Sequence, residues 1–135
     1  MVAPHVLPPY GRFLGITAEA TDDGPLFVMP FTDAVVGRPH FVHGGALAGL
    51  LEIAAVGTVM AALADVPGAS VKPINVTVDF MRGGRERDTY AAAIVSRLGN
   101  RIANVEAFAW QEDRSKPIAS ARMNLMVRRP AKEEG

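Results

Sequence analysis

Between Ala46 and Ala64 the chain runs for 19 residues in which only Gly49, Glu52, Gly57 and Thr58 interrupt apolar side chains. Nothing else in the sequence restricts the fold so tightly. The run approaches the length of a membrane span, yet it is rich in alanine rather than leucine, holds a carboxylate, and lacks flanking basic or aromatic anchors. A helix apolar on nearly every side is also what the centre of a soluble domain contains, and that is the reading adopted. Gly44 and Gly45 free the backbone for a tight entry, so the helix should begin near Gly45. Pro67 and Gly68 cannot continue it, so it should end before them.

Such a helix needs a cover, and the remaining sequence supplies strands. Segments 12–20 and 25–30 are expected to form two short strands around the turn Thr21-Asp22-Asp23-Gly24. After an irregular stretch from Phe31 to Val42 and the helix come four more strands: 73–82, 89–98, 101–111 and 117–127. In the first of these, Ile74, Val76, Val78 and Phe80 alternate with Asn75, Thr77 and Asp79, the pattern of a half-buried strand. Gly99-Asn100 is a hairpin signal. Short turns imply antiparallel neighbours, and a strongly curved antiparallel sheet wrapped around one apolar helix is an α+β, hotdog-like architecture that should cover the helix almost completely. Its open edge would be hidden by pairing two protomers, so at least a dimer is expected.

The length of 135 residues fits one domain. Acidic and basic residues balance at 14 each, which makes nucleic acid a poor partner. The absence of cysteine removes disulfide scaffolds, thiolate zinc sites and cysteine nucleophiles. Residues 1–15 contain three prolines and no continuous apolar run, unlike a signal peptide, so a cytoplasmic location is expected. The charged tail from Arg128 to Gly135 is expected to fray.

Four residues carry the candidate chemistry: His43, Gly44, Gly45 and Glu52. The two glycines should present unpaired N–H groups where the helix dipole favours negative charge, a candidate oxyanion site. Glu52 lies two turns and a fraction further on, so it can border the same groove. A carboxylate buried among Leu50, Leu51, Ile53 and Ala54 would need a partner or a task. The partner could be an arginine such as Arg82 or Arg122, in which case Glu52 braces the core, or Glu52 could emerge at a dimer interface. His43 is read as shaping the loop through the backbone rather than as a proton carrier. With His40 it is too few ligands for a metal site. The loop Arg82-Gly83-Gly84-Arg85-Glu86-Arg87 is either a solvated turn or, with Arg101, a set of guanidinium groups suited to phosphates.

The segment from His43 to Glu52, His-Gly-Gly followed by six residues and an acid, resembles that of PaaI-type hotdog thioesterases, the family of the Arthrobacter-type 4-hydroxybenzoyl-CoA thioesterase. The segments Val76 to Arg82 and Arg97 to Ala103 resemble the family's next strand and later hairpin, extending the likeness over roughly residues 38–127. The resemblance implies a dimer or dimer of dimers that hydrolyses acyl-CoA without a cofactor, coenzyme A being part of the substrate. It implies that the Gly44 N–H polarises the thioester carbonyl and that Glu52 from the other protomer is nucleophile or general base. It also implies coenzyme contacts at Phe80, Met81, Arg82, Gly83 and Arg85, and at Gly99, Asn100 and Arg101. Two positions depart from the family: Gly37 stands where members often carry Asn or Gln, and Val56 where some carry Thr or Ser, leaving His40 as a substitute on the loop. These departures motivate a second reading, a non-catalytic hotdog that binds an acyl ligand. A hydratase is a third, weakened by the lack of a separate Asp/His pair.

Overall fold

The computed structural model describes residues 7–130. Residues 131–135, most of the tail expected to fray, and the first six residues of the N-terminal stretch lie outside the described residues.

The chain opens with a helix, not a strand. Pro9 sits at the first position of a five-residue helix, α1 (Pro9–Phe13), where its fixed φ and missing N–H are both tolerated. Gly15, at φ 75°, then turns the chain into β1 (Thr17–Thr21). The expected strand over 12–20 is therefore correct only in its second half. Strand β2 (Gly24–Met29) folds back on β1 through a turn that Gly24 closes at φ 110°. A 3-10 turn (Asp33–Val35) leads to the long helix α2 (Gly44–Ala62). The remaining strands are β3 (Ser70–Phe80), β4 (Thr89–Leu98), β5 (Ile102–Trp110) and β6 (Ala119–Arg128). All pairings are antiparallel, in the order β1-β2-β4-β5-β6-β3.

The sheet offers α2 an unusually flat floor. Two cross-strand rows, Ala91-Ala109-Ala119 and Ala93-Ala107-Ala121, cross three strands without a side chain longer than a methyl. Leu47, Leu50, Leu51 and Ala54 of α2 are at most 2% exposed, and burying each leucine contributes about 1.5–3 kcal/mol. Curvature comes from bulges in β3, between Pro73 and Asn75, and in β4, between Val95 and Arg97, since an extra residue bends and twists its strand. Both bulges border a polar row on the convex face. There the Asn104 amide donates to Asn124 Oδ1 at 2.5 Å, and the Asn124 amide donates to Asn75 Oδ1 at 2.9 Å.

Two expectations about burial fail. The sheet does not cover the helix almost completely: Gly45 and Glu52 are exposed, and Ala48, Val56 and Met60 are half-buried, a stripe at helical spacing along the side nearest β3. Nor is β3 half-buried. It is a sheet edge on which Ile74, Val76 and Phe80 are 50%, 48% and 56% exposed. Their alternation records a cover that the protomer's own helix does not reach far enough to provide.

The closed side of α2 should dominate stability. Leu50→Ala, at a fully buried position, is expected to lower unfolding free energy by about 2–5 kcal/mol, read from urea denaturation.

Candidate active site

His43 is the N-cap of α2, with φ −64° and ψ 135°, and its Nδ1 accepts the Gly45 N–H at 2.8 Å. An accepting Nδ1 places the neutral ring's proton on Nε2. The geometry also explains the second glycine: a Cβ at Gly45 would lie 2.9 Å from His43 Nδ1. The expectation of two open amides thus fails at Gly45, whose donor is used by the cap. The Gly44 N–H has no acceptor among the described residues, and it points from the positive end of a 19-residue helix.

Gly44 opens into a cleft of about 530 Å³ walled by Phe41, His43, Phe80, Met81, Arg82 and Gly83. Phe80 Cε1 stands 3.4 Å from where a Gly44 Cβ would be, so its ring lies beside the amide. The loop after β3 forms the far rim and is tied down by Gln111. The Gln111 side chain accepts the Arg85 N–H at 2.8 Å and donates to Arg85 O at 3.0 Å, Arg87 O at 3.2 Å and Thr89 Oγ1 at 3.1 Å. The guanidinium carbons of Arg38 and Arg85 lie 4.0 and 4.3 Å from the Phe41 ring centroid, a cation–π arrangement. Arg38, Arg82 and Arg85 therefore make a basic mouth to the cleft. Sequence reading missed Arg38, Phe41 and Gln111, because their roles depend on contacts between loops, those of Arg38 and Phe41 across the whole of α2 and β3 and those of Gln111 across β4 and β5. Beyond Arg85, Asp113 accepts from the Ser115 hydroxyl and N–H, and those bonds hold its carboxyl below the ordinary carboxylate range.

Glu52 lies elsewhere. It is exposed, not buried, and borders a separate cavity of about 290 Å³ between α2 and β3, lined by Phe27, Ile53, Val56, Met60 and Val71 among others. It forms no ion pair among the described residues, where the pairs are His40 with Glu86 and Arg87 with Glu112. Arg122, one suggested partner, alternates with the buried Ala121 and Met123 and so points from the convex face, across the sheet from α2. Eight helical residues put Glu52 about 12 Å along the axis from Gly44 and about 80° around it. One protomer therefore does not bring the acid and the amide to one groove.

The structure also places His40, Gly37 and the Gly99-Asn100-Arg101 hairpin. His40, at φ 72°, is turned to Glu86, its Nδ1 lying 2.7 Å from Oε1, and is absent from the lining of the Gly44 cleft. Gly37 packs against His43, and a Cβ there would sit 3.0 Å from His43 Cα, so an Asn or Gln at 37 would have to displace the cap residue. Gly99, Asn100 and Arg101 do not join Arg82 and Arg85. Their hairpin adjoins Val127, which lies eight residues along β6 from Ala119, the partner of Phe80, so the two sets are about 25 Å apart in one protomer. Arg129 donates to Gly99 O at 3.0 Å and Asn100 O at 2.7 Å, fixing that hairpin from the chain's end.

A family model described as the thioesterase superfamily matches residues 40–118. No curated protein sequence matches the chain. Among solved structures, a phenylacetic acid degradation-related protein from Ralstonia eutropha JMP134 is 26% identical over 90% of this chain and 92% of that one, with a TM-score of 0.79. A protein from Chromobacterium violaceum is 30% identical over 87% and 82% of the two chains, with a TM-score of 0.72. A Bacillus halodurans protein solved with CoA has a TM-score of 0.81 over 92% of this chain and 81% of that one. At 21% identity it bears on the fold alone.

If His43 serves the helix start, His43→Ala should lower stability by about 0.5–2 kcal/mol, whereas His43→Asn, another good cap, should recover most of the loss. Thermal unfolding of the two variants makes the comparison.

Proposed function

The chain belongs to the thioesterase superfamily and has the hotdog fold, and from that premise we propose that it hydrolyses acyl-coenzyme A thioesters at a site shared by two copies of the chain. One observation carries the proposal: each protomer holds half of the required chemistry twice over, an open amide at Gly44 and an uncommitted acid at Glu52, in separate depressions of the same helix. The exposed apolar residues of the β3 edge, contiguous with the open stripe of α2, give a second copy a surface to cover. Pairing two β3 edges antiparallel satisfies their free backbone groups and extends the sheet. An isologous pair makes two equal sites, each with one protomer's Gly44 and the other's Glu52.

Thioester hydrolysis needs little else. The carbonyl oxygen gains charge as the tetrahedral intermediate forms, and the Gly44 N–H, backed by the helix dipole, stabilises it. Glu52 either takes a proton from the water that attacks the carbonyl carbon, or attacks that carbon itself and expels the thiolate, leaving a mixed anhydride that water then cleaves to the free acid. In the water route the C–O bond forms, the C–S bond breaks, and the proton passes to the departing thiolate, giving acid and free thiol. The basic mouth formed by Arg38, Arg82 and Arg85 suits the phosphates of coenzyme A, guanidinium being the side chain best matched to them.

Two substitutions test the shared site. Glu52→Ala should reduce thiol release from acyl-CoA by at least about 100-fold with the oligomer intact by sedimentation. Gly44→Pro removes the N–H and keeps the backbone path, because proline is tolerated at the first helical position and His43 already has the extended ψ of 135° that proline requires before it, though its ring also adds bulk beside Phe80. It should lower kcat by about 100- to 1,000-fold. Mixing the two inactive variants should restore activity, since a mixed dimer contains one intact site. Mixtures that stay inactive despite subunit exchange would refute sharing, and acyl-CoA binding without turnover by the unmodified protein would instead favour a ligand-binding hotdog.

A further inference from the structure

The cavity beside Glu52 constrains the acyl group, an inference that rests on the proposed hydrolysis. Among the described residues, every side chain lining it apart from Glu52 is hydrocarbon or thioether, including Phe27, Ile53, Val56, Met60 and Val71. No hydroxyl, amide or imidazole faces it from α2 or β3 to pair with a polar atom on a bound acyl chain. Its volume of about 290 Å³ admits a phenyl ring or a chain of several carbons. The inner wall is set by one contact. Phe27, fully buried on β2, lies against Gly57, where a Cβ would come 2.6 Å from Cζ and 3.2 Å from Cε1. Gly57 therefore lets the ring lie flat against the helix. With any side chain at 57 the ring would have to move, and because it is otherwise packed in the core, the cavity is where it can go.

We propose that this cavity receives the acyl group, that it selects unsubstituted hydrocarbon acyl groups over ones carrying a hydroxyl, and that Gly57 sets its depth. Away from Glu52, a hydroxyl carried against this apolar wall loses its water and gains no partner among the described residues. The unmodified protein should therefore prefer phenylacetyl-CoA to 4-hydroxyphenylacetyl-CoA, and hexanoyl-CoA to 6-hydroxyhexanoyl-CoA, by roughly 5- to 150-fold in kcat/KM. Gly57→Ala should leave acetyl-CoA the least affected and lower the hexanoyl-to-acetyl ratio of kcat/KM by about 10-fold or more, the size of a lost fit in an apolar pocket. Taking ratios within one variant removes any effect of a lower folded fraction. Equal use of hydroxylated and plain thioesters, or a Gly57→Ala loss independent of chain length, overturns the inference while leaving hydrolysis standing. If no thioester is turned over, the hydrolytic reading fails. Affinities for the matching non-hydrolysable thioethers then decide the cavity's role by the same ratios, equal affinities overturning it.

Discussion

A helix of 19 residues that is apolar around its whole circumference has more surface to hide than a single concave sheet can cover. The alanine rows of β4, β5 and β6 let α2 settle close to the sheet, and the two bulges curl the strands toward it, yet the stripe from Ala48 to Met60 stays open. Uncovered apolar surface next to an unpaired strand edge is unfavourable for a lone chain in water. The same shortfall leaves an exposed acid and an apolar cavity on the side where a second copy would sit. Incomplete coverage of the helix and the distribution of candidate chemistry along it are thus one fact seen twice.

The start of the helix shows how few residues are needed to leave one amide open. His43 uses its side chain to satisfy one amide, Gly45 is glycine so that the imidazole can come that close, and Gly44 is left with a donor and little bulk around it. Phe80, from the far end of β3, closes one side of that donor. Capping takes one of the first-turn donors and leaves the neighbouring glycine's free for the proposed oxyanion.

Much of this was legible in the sequence, and what was not has physical causes. The start of α2 and both limits of β4 follow from glycine and periodicity, and the structure places them within a residue of where those signals do, whereas α2 stops at Ala62, short of the Pro67 that was expected to end it. Helix α1 was hidden because five residues are too few to display a period. The burial of Glu52 was misjudged because its sequence neighbours are buried on the other sides of the helix. The grouping of Arg101 with Arg82 and Arg85 ignored a signal that was present: the loops before and after β4 are separated by one strand, and consecutive turns of an antiparallel sheet fall at opposite ends.

The bulge in β3 has a consequence for how that strand tolerates change in length. Before it, Val71 and Pro73 sit opposite the buried Val127 and Leu125. After it, Val76, Val78 and Phe80 sit opposite the buried Met123, Ala121 and Ala119. Odd positions face the helix in the first half and even positions in the second, with Ile74 as the supernumerary residue that switches the parity. Loss of that single residue would leave Pro73, Asn75 and Val76 opposite Leu125, Asn124 and Met123 in unbroken alternation, so both halves would keep their faces and only the local bend would be lost. The bulge is thus a device of curvature: its removal would reach the cleft, some 20 Å away, through the bend of β3 and not through its register.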